Sequence, residues 1–261
     1  MPREKSRSKI RWRAWLAFLA CCAVLIAAAM VARTVYRYAL TSPRFTLSSD
    51  QRGALSFQGV VYSTPSKLKH VFATDYGRSI FAVPLAERRR RLLAVDWVEN
   101  AAVSRLWPNR LVVRITERKP VAFVSIPYHP GTRSAARFLM IDAQGVLLDP
   151  PERGQFAFPI ISGLSDYQTE PERRVRVRAV QRLVAELGPT TQIISEINAG
   201  EPDDLIVDAK VDGRLLSLEL GEGNYGKRVQ NFLSHYPEIR KRASNVKTFD
   251  LRLDDRITAK E

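Results

Sequence analysis

The residue types that carry most enzymatic chemistry are sparse in this chain and poorly spaced for it. His70, His129 and His235 stand alone, with no cysteine or carboxylate placed to complete a metal site, and each reads as a surface or packing residue. No G-x-S-x-G nucleophile elbow occurs. Gly221-Glu222-Gly223 has too few glycines and no lysine or serine in register for a phosphate loop, so a strand-to-helix turn is the better reading. Asp254-Asp255 would supply paired carboxylates for acid–base work or cation binding, but neighbours on an extended chain point opposite ways, and a solvated tail fits better. Cys21 and Cys22 are adjacent inside an apolar segment and imply no disulfide framework. A cysteine-free remainder is compatible with an oxidising compartment. The chain therefore reads as a binding protein, with no catalytic, cofactor-binding or metal-binding residue and no small-molecule substrate.

A formal charge of +14 over 261 residues raises nucleic acid as a partner, so the placement of that charge matters. Arg3, Lys5, Arg7, Lys9, Arg11 and Arg13 stand against Glu4 alone, which gathers much of the excess into a short tail. The other dense run, Arg88 to Arg91, lies on a short helix with Leu85, Leu92 and Leu93 on one face. A solvated helix face is the default for these arginines, with an acidic protein or a lipid surface as the functional alternative. Nucleic acid is weaker, and none is expected as a partner.

From Trp15 to Ala32 the chain carries no charge, with Arg13 and Arg33 on its flanks. As a helix this stretch spans roughly 27 Å, close to the roughly 30 Å hydrocarbon core of a bilayer. A cleaved signal peptide is one alternative, since Ala27-Ala28-Ala29 resembles a cleavage site, but the apolar run is too long for a signal core. A lipidated cysteine fits poorly because the leucine of Leu19-Ala20-Cys21 is one place out, and a buried core helix is disfavoured by the uniformly apolar circumference. The basic tail before the span favours a cytoplasmic amino terminus, with the remainder exported.

The elements beyond the span follow from periodicity. A polar connector over 35–53 leads to a strand near Leu55–Val60, a helix opened by Thr64-Pro65-Ser66, and a second helix from about Pro84 to Ala94. Asp96 to Phe123 then reads as two strands joined by a tight turn. Leu111, Val113 and Ile115 alternate with Val112, Arg114 and Thr116, and Pro108 is expected to lead the turn at its first central position. The order strand-helix-helix-strand-strand makes a compact α+β domain.

After Phe123 strands dominate. Phe138–Ile141 and Val146–Leu148 flank the turn Asp142-Ala143-Gln144-Gly145. A helix from about Glu172 to Leu187 is stopped by Gly188-Pro189, and strands follow at Ile193–Asn198, Leu205–Val211 and Leu215–Leu220. The last two meet at Asp212-Gly213, a tight-hairpin pair. Asn224 is placed to cap a helix with Val229, Phe232, Leu233 and Tyr236 on one stripe, and Pro237 to end or bend it. Phe249 to Leu253 alternates as a final strand, before a charged tail.

At this point the residues resemble the FtsQ/DivIB family of bacterial cell-division proteins over nearly the whole chain. Trp97-Val98, Ala101, Val103, Arg105, Trp107-Pro108, Leu111, Glu117-Arg118 and Pro120-Val121-Ala122 follow that family's pattern in order. Gly77-Arg78-Ser79-Ile80-Phe81, Leu218-Glu219-Leu220-Gly221, Lys227-Arg228, Tyr236-Pro237 and Asp250-Leu251-Arg252 are similar to further parts of it. The sequence departs from the family at Asp96, at Leu253 where an aromatic residue is common, and in a longer loop from Tyr128 to Arg137.

The resemblance implies a cytoplasmic basic tail (1–13), one transmembrane helix (14–34), a juxtamembrane connector (35–53), a POTRA domain (54–120), a strand-rich β-domain with two helices (121–254) and a charged tail (255–261). It implies an inner-membrane protein with a periplasmic carboxy-terminal domain, located at the division septum. Its expected role is a non-enzymatic divisome scaffold that joins an FtsB–FtsL-type pair and helps control septal peptidoglycan synthesis, with the POTRA domain meeting upstream division proteins. The family's β-domain takes its FtsB-like partner as an added strand at an exposed sheet edge. Carried onto this chain, that edge runs from Phe249 through Leu251, Arg252 and Leu253 and on to the residues just after, with Arg252 suited to an acidic partner. The alternative for Arg252 is a plain solvent-face contact on its own strand. Rival readings are a POTRA-bearing component of protein export or outer-membrane assembly, and a charged-surface binder of lipid or nucleic acid.

Overall fold

A computed structural model describes residues 7–50, 53–127 and 136–260, which divide into two compact units after Thr116. His129, most of the long loop from Tyr128 and the first six residues of the basic tail lie outside the described residues.

The first unit opens with α1 (Arg7–Thr41), whose Trp15–Thr41 portion is long and apolar enough to cross a membrane. The helix continues past residue 34, where the span was expected to end, and stops just before Pro43, which disfavours helical geometry in the residue ahead of it. Part of the expected connector is built into the domain. Pro43–Phe45 form a short 3-10 turn, Thr46 bridges to Ser79, and Leu47 is fully buried in the domain core.

Next come β1 (Leu55–Gln58), α2 (Pro65–His70), α3 (Leu85–Leu93), β2 (Val98–Leu106) and β3 (Arg110–Glu117). β1 runs parallel to β3, with Leu55 opposite Leu111, and the sheet order is β1-β3-β2. The alternation in β3 buries Leu111, Val113 and Ile115 against Leu68 and Leu92 from the helices and Phe72 just after α2. The β2–β3 turn contains a cis Trp107–Pro108 peptide. Arg105 fastens β2 to the preceding segment by donating to the carbonyls of Ile80 (2.6 Å) and Val83 (2.9 Å).

Arg89, Arg90 and Arg91 are exposed, as a solvated helix face requires, but Arg88 departs from that reading. It is 3 % exposed and forks onto fully buried Asp75, at 2.6 Å from Nε and 2.9 Å from Nη2. Arg88 lies three residues after Leu85 and four before Leu92, so helical spacing turns it toward the core, where a charge needs a partner. Gly59 is fixed by a similar constraint: its φ is +78° and an added Cβ would lie 2.2 Å from the Ile115 carbonyl oxygen.

The second unit contains β4 (Pro120–Ile126), β5 (Arg137–Asp142), β6 (Leu147–Leu148), β7 (Ile160–Ser162), α4 (Glu170–Leu187), β8 (Ile194–Asn198), β9 (Leu205–Val211), β10 (Arg214–Gly221), α5 (Tyr225–Arg242), β11 (Thr248–Asp250) and β12 (Thr258–Lys260). Pro120 thus begins a strand of this unit. Among the described residues the strands form one nine-stranded sheet, ordered β12-β11-β10-β9-β8-β7-β4-β5-β6. The apolar stripes of α4 (Val177, Val180, Leu183) and α5 (Val229, Phe232, Tyr236) join the strands in a single core.

Local chemistry sets the element ends. Thr169 and Glu172 form a reciprocal capping box at the start of α4. Asp142 pairs with Arg118 at 2.9 Å and accepts from the amides of Gln144 and Val146, closing the β5–β6 turn. Asp212 and Gly213 both have positive φ, as a tight hairpin of this type requires. Asn224 does not cap α5 with its side chain. Instead, Glu186 Oε2 accepts from the Tyr225 amide at 2.8 Å. Nor does Pro237 end that helix, which runs on to Arg242 with Ile239 packed on the core.

Candidate partner-binding edge

The charged segment after Asp254 is not a free tail. Ile257 packs on the core and Thr258–Lys260 return antiparallel along β11, with Phe249 opposite Ala259 and Asp250 opposite Thr258. β12, not the Phe249–Leu253 stretch, is therefore the terminal strand of the sheet. β11 itself lies between β10 and β12, its Leu218–Phe249 register parallel to β10.

The four residues expected at the edge separate by face. Phe249 and Leu251 are each 1 % exposed, and the Phe249 ring lies 5.0 Å from Phe232 and 6.3 Å from Tyr236, so both serve the core. Arg252 and Leu253 remain on the surface, beyond the last ladder residue of β11. The Leu251 amide donates to the Glu219 carbonyl at 2.9 Å, so the backbone of odd-numbered residues in β11 faces β10 and that of Thr248 and Asp250 faces β12. By the same alternation the backbone N–H and C=O of Ala259 point outward from the sheet.

Side chains from distant parts of the chain hold this corner. Arg252 reaches Asp250 at 2.6 Å, Glu219 at 3.2 Å and Asp204 at 3.4 Å, and Lys260 joins Glu219 and, at 3.3 Å, Asp250. The hydrogen bond from the Arg252 side chain holds the Asp250 carboxyl well below the usual carboxylate range, against the opposing effect of burial. That same bond raises the Arg252 guanidinium further above its usual value. Gly221 gives the arginine room: an added Cβ would lie 2.9 Å from Arg252 Cγ, at a backbone φ of +65°.

A second anchor fixes the bend between the two strands. Asp254 accepts from Arg228 at 2.8 Å and from Asn224 at 3.1 Å, and the Arg228 bond is the main reason its carboxyl titrates below the ordinary range. Arg228 also donates to the carbonyls of Leu220 and Glu222, tying the start of α5 to the end of β10. Lys227-Arg228 and Leu220-Gly221 thus act together, although the chain separates them from Asp254.

The acids at the corner are matched by arginine and lysine, and no group of three or more metal-ligating side chains occurs among the described residues. A cavity of about 360 Å³ in the second unit is lined by apolar groups from Pro120–Ala122, Phe158, Ile161 and α4, with Gln181 its polar side chain. It presents no titratable group for proton transfer.

Residues 53–118 match the domain family described as "POTRA domain, FtsQ-type", and residues 133–252 match "Cell division protein FtsQ/DivIB, C-terminal". The chain belongs to the FtsQ/DivIB family of cell-division proteins. It is 33 % identical over 241 residues to a protein named "Cell division protein FtsQ" from Koribacter versatilis, covering 90 % of this chain and 66 % of that one. A protein of the same name from Geotalea daltonii is 25 % identical over 71 % of this chain and 66 % of its own length. One from Bordetella pertussis is 34 % identical over 38 % of this chain and 36 % of its own length. The chain thus spans just under two thirds of the first two relatives. The FtsQ-type match contains the β2–β3 hairpin, and the C-terminal match stops at Arg252, short of β12.

Proposed function

We propose that this protein is a non-enzymatic scaffold of the bacterial divisome that captures an FtsB–FtsL-type partner and helps control septal peptidoglycan synthesis. The observation that carries the reading is the outer edge of β12, on which no further strand lies among the described residues, with the Ala259 backbone donor and acceptor directed away from β11 and with Arg252 and Leu253 exposed. An extended partner segment continues the sheet there by backbone pairing, and its side chains supply specificity. Arg252, already surrounded by three acids, exchanges part of that network for an acidic residue of the partner. The site therefore shifts from the Phe249–Leu253 backbone to β12, while Phe249 and Leu251 support it from the core.

In this reading α1 crosses the inner membrane once, the basic amino-terminal segment stays in the cytoplasm, and both domains lie in the periplasm at the septum. The POTRA domain meets upstream division proteins. Copurification of the detergent-solubilised protein with the FtsB-type and FtsL-type proteins of the same bacterium tests the partner assignment. Capture that survives salt and is lost when Thr258–Lys260 are replaced by glycine and proline is expected; no capture in any detergent contradicts it. Depletion in the cell should give filaments with segregated chromosomes, and normal division would contradict the scaffold role.

A further inference from the structure

Aromatic residues bracket the apolar helix on both sides. Trp12 stands just before it and Trp15 at its start, Tyr36 and Tyr38 near its far end, and all four are exposed. The Trp15-to-Tyr36 separation along a helix is roughly 31 Å, close to the roughly 30 Å hydrocarbon thickness. Trp12 to Tyr38 covers about 39 Å, which brings both outer rings into the headgroup layers, where tryptophan and tyrosine concentrate.

Contacts tie the end of α1 to the POTRA domain at that level. Ser79 Oγ donates to the carbonyl of Ala39 at 2.7 Å. The Tyr38 ring meets Phe45 at 6.2 Å, and Phe45 in turn meets Phe81 at 5.2 Å and Trp107 at 5.4 Å. Trp107 is thus two ring contacts from a residue of the spanning helix. It is nonetheless 66 % exposed, and its neighbour Leu106 is 49 % exposed. A single exposed apolar residue calls for no explanation, but a leucine and a tryptophan together at a hairpin tip, continuous with an interfacial tyrosine, form a patch of the kind that lipid covers. Arg37 and Arg44 are exposed nearby in sequence and form no ion pair among the described residues.

We propose that the Leu106–Trp107 tip rests in the phospholipid headgroup layer of the membrane that α1 crosses, with Arg37 and Arg44 on lipid phosphates. The apolar side chains enter at the glycerol level while the indole N–H keeps a polar partner, as amphipathic aromatic side chains do at such interfaces. The POTRA domain is then seated on the bilayer by a second contact, and its orientation is fixed beyond what one helix alone imposes. This inference rests on the reading of α1 as a membrane span.

The test uses the full chain in phosphatidylethanolamine–phosphatidylglycerol nanodiscs, with and without lipids brominated high on the acyl chains. Subtracting the emission of Trp107→Phe from wild type isolates Trp107, and Trp15→Phe isolates Trp15 in the same way. Trp107 is exposed, so its replacement leaves the core intact. The expected result is a loss of about half or more of the emission of both tryptophans in brominated discs. Quenching of Trp15 with Trp107 unchanged overturns the proposal and leaves the span standing. If neither is quenched, the membrane-span reading falls and the proposal falls with it.

Discussion

Each domain sets an arginine on aspartate, and the settings are opposite. In the POTRA domain Arg88 and Asp75 are sealed in the core; in the β-domain Arg252 is 42 % exposed at the side chain and shared among Asp250, Glu219 and Asp204. A buried pair with a single geometry resists exchange, because losing either partner strands a desolvated charge. A surface network with several acids contributes little to stability, and each contact can be replaced. The first arrangement fixes a fold, and the second leaves a surface able to trade partners.

The largest expected effect is at the buried pair. Arg88→Ala should cost about 3–5 kcal/mol, enough to unfold the POTRA domain while the β-domain transition stays near its original midpoint in chemical denaturation followed by domain-specific probes. A loss under about 1 kcal/mol would mean the pair is not sealed as described.

Much of this contrast was legible in the sequence, and the part that was not has physical causes. The β3 alternation, the α4 and α5 stripes and the Asp212-Gly213 turn are local patterns, and the elements form where those patterns place them. Arg88 carried a usable signal, since it shares the helix face of Leu85 and Leu92; its partner Asp75 did not, because that pairing is tertiary. β12 has three residues, no alternation and charged neighbours, so nothing local marks Thr258–Lys260 as a strand. It forms because Lys260 meets Glu219 and Ile257 packs on the core, contacts that the chain assembles from far apart. Asn224 holds the N-cap position of α5 as expected, but for a related reason its side chain does not cap: it binds Asp254, and Glu186 takes the Tyr225 amide.

Glycine substitutions sharpen the comparison at smaller scale. Gly59→Ala places a Cβ against the backbone of Ile115 at positive φ and should destabilise the POTRA domain by about 1–3 kcal/mol in urea unfolding. Gly221→Ala shares the backbone strain but meets a flexible arginine, so its stability loss should be less than that of Gly59→Ala, with partner affinity reduced as Arg252 moves. Equal losses at the two sites would break the distinction between rigid and exchangeable surroundings.

Arg252→Glu should leave unfolding of the isolated protein within about 1 kcal/mol of wild type while partner affinity falls about tenfold or more, as measured by titration calorimetry. Unchanged affinity would remove Arg252 from the contact.

The smallest expected effect is on acidification. Asp250 and Asp254 have folded-state pKa values below those of unfolded aspartate, so their contribution is complete above the unfolded value of about 4 and is lost as pH falls toward the folded values. Below about pH 4, amide exchange should accelerate in β11 and β12 before it does in β9 and β10. Exchange that rises uniformly across these strands would contradict a separately held corner.

The central claim, that a partner adds to β12, is tested most directly by amide exchange at Ala259, read by NMR with and without the FtsB-type protein. The outward N–H should exchange rapidly in the free protein and become protected on binding. Binding that leaves Ala259 unprotected while shielding another surface would contradict the account.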